Sequence, residues 1–253
     1  MPQLEDSRLG TILRRYYEDG LGGPANWEKF ESLRVRGTME IGANEFDFTA
    51  LQKKPHYLKI RLENRHRDLL LGYDGETAWQ RESWKDESAR PMSAEEARRF
   101  RHSARFGNHL LYPYAEGKRI VYVDTVPIDG VICHKLRVEL PTGYEVGYFI
   151  DVGSRMEVRA NHRDLRTGKT FSMKYDDYVR KGGMPVAREV KSYEDGERTS
   201  TLKIDEIKVN AGLMPWMFRM PDAPGSGAGE AGAASDPPAA AVTRTARSTY
   251  RAP

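Results

Sequence analysis

The residues of this chain that could take part in acid–base or metal chemistry are scattered along it. Its histidines are His56, His66, His102, His109, His134 and His162. None of them stands in an H-E-x-x-H or comparable metal-binding spacing. The adjacent acids Asp176-Asp177 and Asp205-Glu206 could share general acid–base work only if two carboxylates converged, whereas neighbours on a strand point to opposite faces. The sequence therefore predicts no metal site and no catalytic residues.

Cys133 is the only cysteine, so it cannot form an internal disulfide and the redox compartment stays open. The adjacent His134 points to the other face of a strand, and we expect a buried, inert thiol rather than a nucleophile. The chain also lacks a G-x-S-x-G nucleophile elbow, a phosphate-binding loop and a dinucleotide-binding glycine motif after a strand. We therefore expect neither an enzyme nor a bound cofactor, although distant segments could still bring catalytic residues together.

The elements that would position any site are mostly strands. Apolar and polar residues alternate almost without a break from Leu33 to Val209, and repeated turn signals predict an antiparallel meander that curls into a barrel or half-barrel. One helix interrupts it over residues 93–106, where Ser93-Ala94-Glu95-Glu96 forms a capping box. Residues 8–20 predict an amphipathic N-terminal helix, and Pro24 can begin a short second one. The fold class is mainly β (α+β).

Composition limits the partners and the domain organisation. The net charge is +3, from 40 basic and 37 acidic residues, which indicates a mixed surface and no nucleic-acid partner. No stretch reaches the roughly 18 apolar residues of a membrane span. We expect a single domain over residues 1–221. The tail 222–253, rich in Ala, Gly, Pro and Ser, has almost no large apolar residues, and we expect it to be disordered.

The large side chains on one face of the predicted sheet form a candidate ligand cavity. The candidates are Met39, Phe46, Phe48, Tyr73, Trp79, Tyr148 and Met156, together with Phe100 from the helix. Methionines and aromatic rings suit flexible acyl chains. Physical reasoning alone leaves two alternatives equally open, a cavity and an ordinary filled core.

An ordered series of short motifs resembles the LolA-like outer-membrane lipoprotein-sorting proteins, the periplasmic lipoprotein-carrier superfamily. No element is specific alone, but their order and spacing match over roughly residues 8–221. The motifs are Gly22-Gly23, Trp27, Arg36-Gly37-Thr38, Lys54-Pro55, Tyr73-Asp74-Gly75 with Trp79, Val126 with Asp129-Gly130, Tyr148-Phe149-Ile150-Asp151, Gly183-Met184-Pro185, Ile204-Asp205 with Ile207 and Val209-Asn210, and Phe218 with Met220-Pro221.

The resemblance implies an unclosed antiparallel β-barrel of about 11 strands with N-terminal helices and a helical lid. Its hydrophobic cavity would bind the acyl chains of a lipid or lipoprotein and carry them toward the outer membrane, as a monomeric periplasmic carrier that needs no cofactor or metal. A membrane-anchored acceptor or regulator would be the other partner. The alternatives are a regulatory or sensor protein of the same fold that binds a membrane-bound signalling partner, and a lipid hydrolase.

The start of the chain departs from this family. Its members normally begin with a secretory signal, whereas Met1-Pro2-Gln3-Leu4-Glu5-Asp6 contains neither a basic nor an apolar region of the kind that such signals carry. Two alternatives follow, a cytoplasmic location or a signal that is missing from the sequence as written.

Overall fold

The computed structural model describes residues 4–85, 88–112 and 116–221. The predicted tail of residues 222–253 lies outside this range. Helical structure is limited to short elements. In chain order these are α1 (Arg8–Arg15), a π-helical turn (Tyr16–Gly20), α2 (Pro24–Lys29), α3 (Ala94–Ser103) and a 3-10 turn (Pro215–Phe218).

Strands make up most of the described chain. They are β1 (Ser32–Ile41), β2 (Asn44–Lys53), β3 (Tyr57–Asn64), β4 (Arg67–Tyr73), β5 (Ala78–Glu82), β6 (Arg90–Pro91), β7 (Arg119–Ile128), β8 (Val131–Leu140), β9 (Tyr144–Asp151), β10 (Glu157–Asp164), β11 (Thr170–Lys181), β12 (Met184–Glu194) and β13 (Glu197–Val209).

All of these strands belong to one antiparallel sheet. The order is β6-β5-β4-β3-β2-β1-β13-β12-β11-β10-β9-β8-β7, and the sheet does not close on itself. The described part of the chain thus has 13 strands where about 11 were predicted, and the predicted class, an unclosed antiparallel barrel with N-terminal helices, is confirmed. Short turns connect the hairpins. Asp129-Gly130 and Asp195-Gly196 both have positive φ at each residue, as a type I′ turn requires.

The chain divides into two compact units. Within the described residues, unit 1 comprises the chain up to Glu31, Thr38–Glu45 and Gly107–Asp205, and unit 2 comprises Ser32–Gly37, Phe46–Phe106 and the chain from Glu206. The sequence-based expectation of a single domain over 1–221 stays a prediction.

In unit 1, strands β8 to β11 bury one face. Leu136, Tyr148, Ala160 and Met173 occupy successive partner positions on these four strands, and each is at most 4% exposed. The N-terminal segment belongs to the same unit. Ser7 caps α1 by accepting a hydrogen bond from the Gly10 N–H, and α1 buries Ile12 and Leu13. The predicted N-terminal helix is therefore present, and its last turn, Tyr16–Gly20, widens into a π-helix.

In unit 2, strands β2 to β5 also bury one face, which we call the apolar face of unit 2. It consists of Phe46, Phe48, Ala50 and Gln52 on β2, Leu58, Ile60 and Leu62 on β3, Leu69, Leu71 and Tyr73 on β4, and Ala78 and Gln80 on β5. All of these side chains are buried. The opposite, polar face carries Lys59, Arg61 and Arg81.

Candidate functional site

Three of the predicted cavity residues lie on the apolar face of unit 2. Phe48 pairs with Leu62 and Tyr73 pairs with Leu58, while Phe46 precedes Phe48 by one strand period. Phe46 and Tyr73 are each 8% exposed, and Phe48 is 1% exposed. The sheet thus brings these three aromatic rings to one continuous apolar surface.

Helix α3 lies at one end of this face. At its start, the Glu96 carboxylate lies beside Gln80 on β5, and in its middle Arg101 lies beside Tyr73 on β4. Just after its end, the Arg105 carbonyl accepts a 2.9 Å hydrogen bond from Gln52 on β2. Because these contacts run from β5 to β2, the helix crosses the strands at their Gln52–Ala78 end.

The sequence prediction for α3 is correct at its start and too long at its end. The capping box of Ser93 and Glu96 is present, but the helix ends at Ser103 rather than near residue 106. Phe100, the predicted cavity residue on this helix, is 9% exposed, and Ala104 is fully buried. Burial raises the pKa of Tyr73 on the face below, although the nearby Arg101 opposes that rise.

Trp79 does not share the face of Tyr73 and Phe48, and the expectation that it would is wrong. Tyr73 pairs with Ala78, so Trp79 pairs with Gly72 on the polar face of unit 2. The turn between β4 and β5 explains the error. It has four residues, so Tyr73 pairs with Ala78, five positions later, and these two share a face. Simple alternation along the chain would instead place Tyr73 with Trp79, six positions later.

The ring of Trp79 is covered by the C-terminal segment of unit 2. Its indole N–H donates a 2.9 Å hydrogen bond to the Phe218 carbonyl, and the side chain is fully buried. Leu51, Leu213 and Phe218 form an apolar cluster on the same side of β2. Lys59 donates a 3.2 Å hydrogen bond to the Met217 carbonyl, and its pKa is lowered by burial and by Arg81 and Arg61. Trp79 is therefore a structural anchor for residues 213–218.

The remaining cavity candidates belong to unit 1. Tyr148 lies on the buried face of β9, where its hydroxyl oxygen accepts a 3.0 Å hydrogen bond from the backbone N–H of His109. Met39 on β1 is 2% exposed. Met156 precedes β10 and is half-buried, so the predicted strand position is one residue too early.

A polar cluster fixes the N-terminal segment within unit 1. The Tyr16 hydroxyl donates to Glu157 Oε1 at 2.7 Å and accepts from Asn108 Nδ2 at 2.7 Å. The Tyr178 hydroxyl donates to the Glu157 carbonyl at 2.9 Å and to its Oε2 at 3.4 Å. Burial and the Glu157 carboxylate raise the pKa values of Tyr16 and Tyr178 well above the usual value of a tyrosine. The cluster joins the N-terminal helix, the segment after α3 and two strands.

Sequence reasoning missed an open groove on the polar face of unit 1. The groove has a volume of about 350 Å³ and crosses strands β8 to β12. Its polar side chains include Lys135, Arg159 and Arg163, and Phe149 lies among them although it is only 5% exposed. One signal was available, since Tyr148-Phe149-Ile150 breaks the alternation and places an aromatic ring on the polar side.

Three further features concern thiol chemistry, metal binding and membrane insertion. Cys133 is buried, as predicted, and burial and Asp151 raise its thiol pKa. Among the described residues, no group of three or more histidine, cysteine, aspartate or glutamate side chains could hold a metal ion. No helix within residues 4–85, 88–112 and 116–221 is both long and apolar enough to cross a bilayer.

No protein-family model and no curated protein matches the sequence. Solved structures do match. A domain named after outer membrane lipoprotein sorting, from Vibrio parahaemolyticus, is 12% identical with a TM-score of 0.55, covering 81% of this chain and 97% of that one. A LolA superfamily protein from Nitrosomonas europaea is 11% identical with a TM-score of 0.56, covering 83% and 96%.

A third structure, a DUF1329 family protein from Desulfovibrio piger, is 10% identical with a TM-score of 0.59 and covers 83% of this chain and 95% of that one. The three alignments extend over nearly the whole of each known structure. The chain therefore has a LolA-like fold, and the fold that the sequence motifs predicted is confirmed.

Proposed function

We propose that the protein binds and shields the acyl chains of a lipid or lipoprotein and carries them through the periplasm toward the outer membrane. The observation that carries the proposal is helix α3, which crosses the Gln52–Ala78 end of the apolar face of unit 2 in a LolA-like sheet. A periplasmic location and a carrier role are what the LolA-like proteins suggest. The proposal assigns no catalytic step and needs no cofactor.

The aromatic rings of Phe46, Phe48, Tyr73 and Phe100 are the side chains that we assign to acyl contact. All four are buried, so an acyl chain must displace the segments that cover them. Polar contacts to Gln52 and Gln80 lie near the two ends of α3, and water can replace them when the helix lifts. Each methylene then removed from water contributes about 0.8 kcal/mol, which offsets the cost of that movement.

A pair of matched variants on one strand tests the assignment. We expect Phe46→Gln to weaken binding of a fluorescent fatty acid about tenfold, because it places an unpaired amide against the acyl chain. The control is Thr49→Gln, which changes the opposite face of the same strand and should bind like the unmodified protein. Equal affinity in both folded variants would contradict the assignment.

A second candidate function is a regulatory protein that binds a membrane-anchored partner. One observation favours it, since Met214, Trp216 and Met220 in unit 2 are 53%, 56% and 37% exposed. Exposed tryptophan and methionine side chains are enriched at protein interfaces. Recovery of one stable protein partner from membranes, lost in Trp216→Ala and obtained with no bound lipid, would favour this function over the carrier.

A further inference from the structure

We propose that the polar groove of unit 1 binds a phosphate group, either of a lipid headgroup or of a small phosphate ester. The proposal does not depend on acyl binding, because the groove lies on the opposite side of β8 to β11 from the buried face of unit 1. Its volume of about 350 Å³ lies within the range of about 300–1,000 Å³ that is usual for small-molecule sites.

The pairing of the strands places two cations on either side of one aromatic ring. Lys135 and Arg159 are both direct partners of Phe149, one on each neighbouring strand. Neighbouring strands are about 4.8 Å apart, so the two cationic residues start about 10 Å from each other and can lean over the ring between them. The Lys135 ammonium lies 5.8 Å from the centroid of this ring.

Arg159 is held in place by neutral groups. Its Nε donates to Asn161 Oδ1 at 2.7 Å, and its Nη2 donates to Ser172 Oγ at 3.2 Å. Both hydrogen-bond partners are uncharged, so they orient the guanidinium without neutralising it. The acid that interacts with Arg159 through space is Asp129, whose carboxylate is already paired with Lys174. Arginine in a fixed orientation is a preferred ligand for phosphate, because its planar donors match two oxygens at once.

The cations of the groove differ from their neighbours in unit 1. Arg137, Lys174 and Lys191 form ion pairs with Glu139, Asp129 and Glu189. Within the part of the chain that the structure describes, Lys135, Arg159 and Arg163 form no ion pair with a carboxylate. Two acids line the groove, but Glu145 is paired with Arg137, and Asp195 lies exposed in the hairpin turn. The groove is therefore left with an excess of positive charge.

The shape of the groove favours phosphate over carboxylate. Gly147 lies between Arg137 and Asn161 on the polar face, and the absence of a side chain there leaves depth for a ligand. A carboxylate is satisfied by one guanidinium edge. A tetrahedral phosphate presents oxygens in several directions, and Arg159, Lys135 and the Asn161 amide can contact it together.

Calorimetry with inorganic phosphate and glycerol 3-phosphate, and flotation with phosphatidylcholine vesicles that contain phosphatidylglycerol, test the proposal. We expect Arg159→Gln to reduce the affinity for the bound probe at least tenfold. The control is Arg188→Gln, which removes an exposed arginine paired with Asp177 outside the groove and should keep the affinity of the unmodified protein. Circular dichroism confirms that both variants are folded.

The two assays, calorimetry and flotation, identify the source of the phosphate. Binding of the small phosphates alone would indicate a soluble ester, and Arg159-dependent flotation with anionic vesicles would indicate a lipid headgroup. Binding that is equal in Arg159→Gln and Arg188→Gln, or no binding of either probe, would overturn the proposal. Neither result changes the outcome expected of the fatty-acid assay, so phosphate binding in the groove and the carrier function are tested independently.

Discussion

The polar face of the strands is partly covered in unit 2 and open in unit 1. In unit 2 the chain covers part of this face with its own C-terminal segment, and Trp79 becomes fully buried beneath Phe218. In unit 1 the corresponding face of β8 to β12 stays open as a groove lined by cations. The same alternating strand pattern can therefore produce either an anchoring surface or a candidate binding site. A segment that returns to cover the face decides between them.

The largest expected effect comes from removing the anchor of unit 2. Trp79→Ala should lower the free energy of unfolding by about 3–5 kcal/mol, because it deletes a fully buried aromatic side chain and leaves the Phe218 carbonyl without its indole donor. Urea denaturation measures the loss. Trp84→Ala is the control, since Trp84 is 42% exposed and should cost much less. Equal losses in the two variants would show that Trp79 anchors nothing.

Two glycines, one on the polar face of each unit, should differ in the stability that their replacement costs. A Cβ at Gly72 would lie 2.2 Å from the Trp79 ring, whereas a Cβ at Gly147 would find its nearest neighbour at 3.9 Å. Gly72→Ala should therefore cost about 1–3 kcal/mol of stability through overpacking, and Gly147→Ala should leave stability unchanged or slightly improved. Thermal denaturation of the two variants decides this. A loss of stability in Gly147→Ala would show that the groove has no room for a methyl group at this position.

A smaller change in stability is expected from the contacts that hold the C-terminal segment in unit 2 and the N-terminal segment in unit 1. Apolar contacts of Leu51 and Leu213 hold it in unit 2, whereas Tyr16 and Glu157 tie the N-terminal segment in unit 1. Burial raises the folded-state pKa of Tyr16 above its unfolded value of about 10. The stability that this shift contributes is complete below about pH 10 and is lost as the pH rises through the folded-state pKa.

Tyr16→Phe should accordingly make the alkaline loss of stability shallower, with a cost of about 1–2 kcal/mol at pH 8 from the lost hydrogen bond to a carboxylate. Urea denaturation at pH 8, 10 and 11 gives the slope. Tyr122→Phe removes a hydroxyl bonded to Thr125 and serves as the control. An unchanged slope in Tyr16→Phe would show that the Tyr16 hydroxyl does not cause the alkaline loss of stability.

Much of the fold could be predicted from the sequence because local signals agree with it. Alternation identified strands, repeated turn signals indicated an antiparallel meander, and the capping box fixed the start of α3. The face that a side chain takes after a turn was harder to predict, as Trp79 illustrates. Turn length resets the alternation, and only the strand register or the glycine opposite the tryptophan reveals which face it takes.

The candidate site was predictable only in part. Phe46 and Phe48 share a face because they lie two residues apart on β2, whereas only the strand register shows that Tyr73 on β4 lies on the same face. The groove was not predictable, because its cations come from β8 and β10, more than 20 residues apart, and periodicity does not reveal which cations lack an acidic partner. The anomalous Phe149 was the one local indication.

Acyl-chain binding can be tested on the protein as purified, by mass spectrometry of its organic extracts. We expect a lipid or fatty acid to co-purify at about one molecule per protein, reduced in Phe46→Gln and retained in Thr49→Gln. An extract without lipid, from folded protein that also fails to bind a fluorescent fatty acid, would contradict the carrier function.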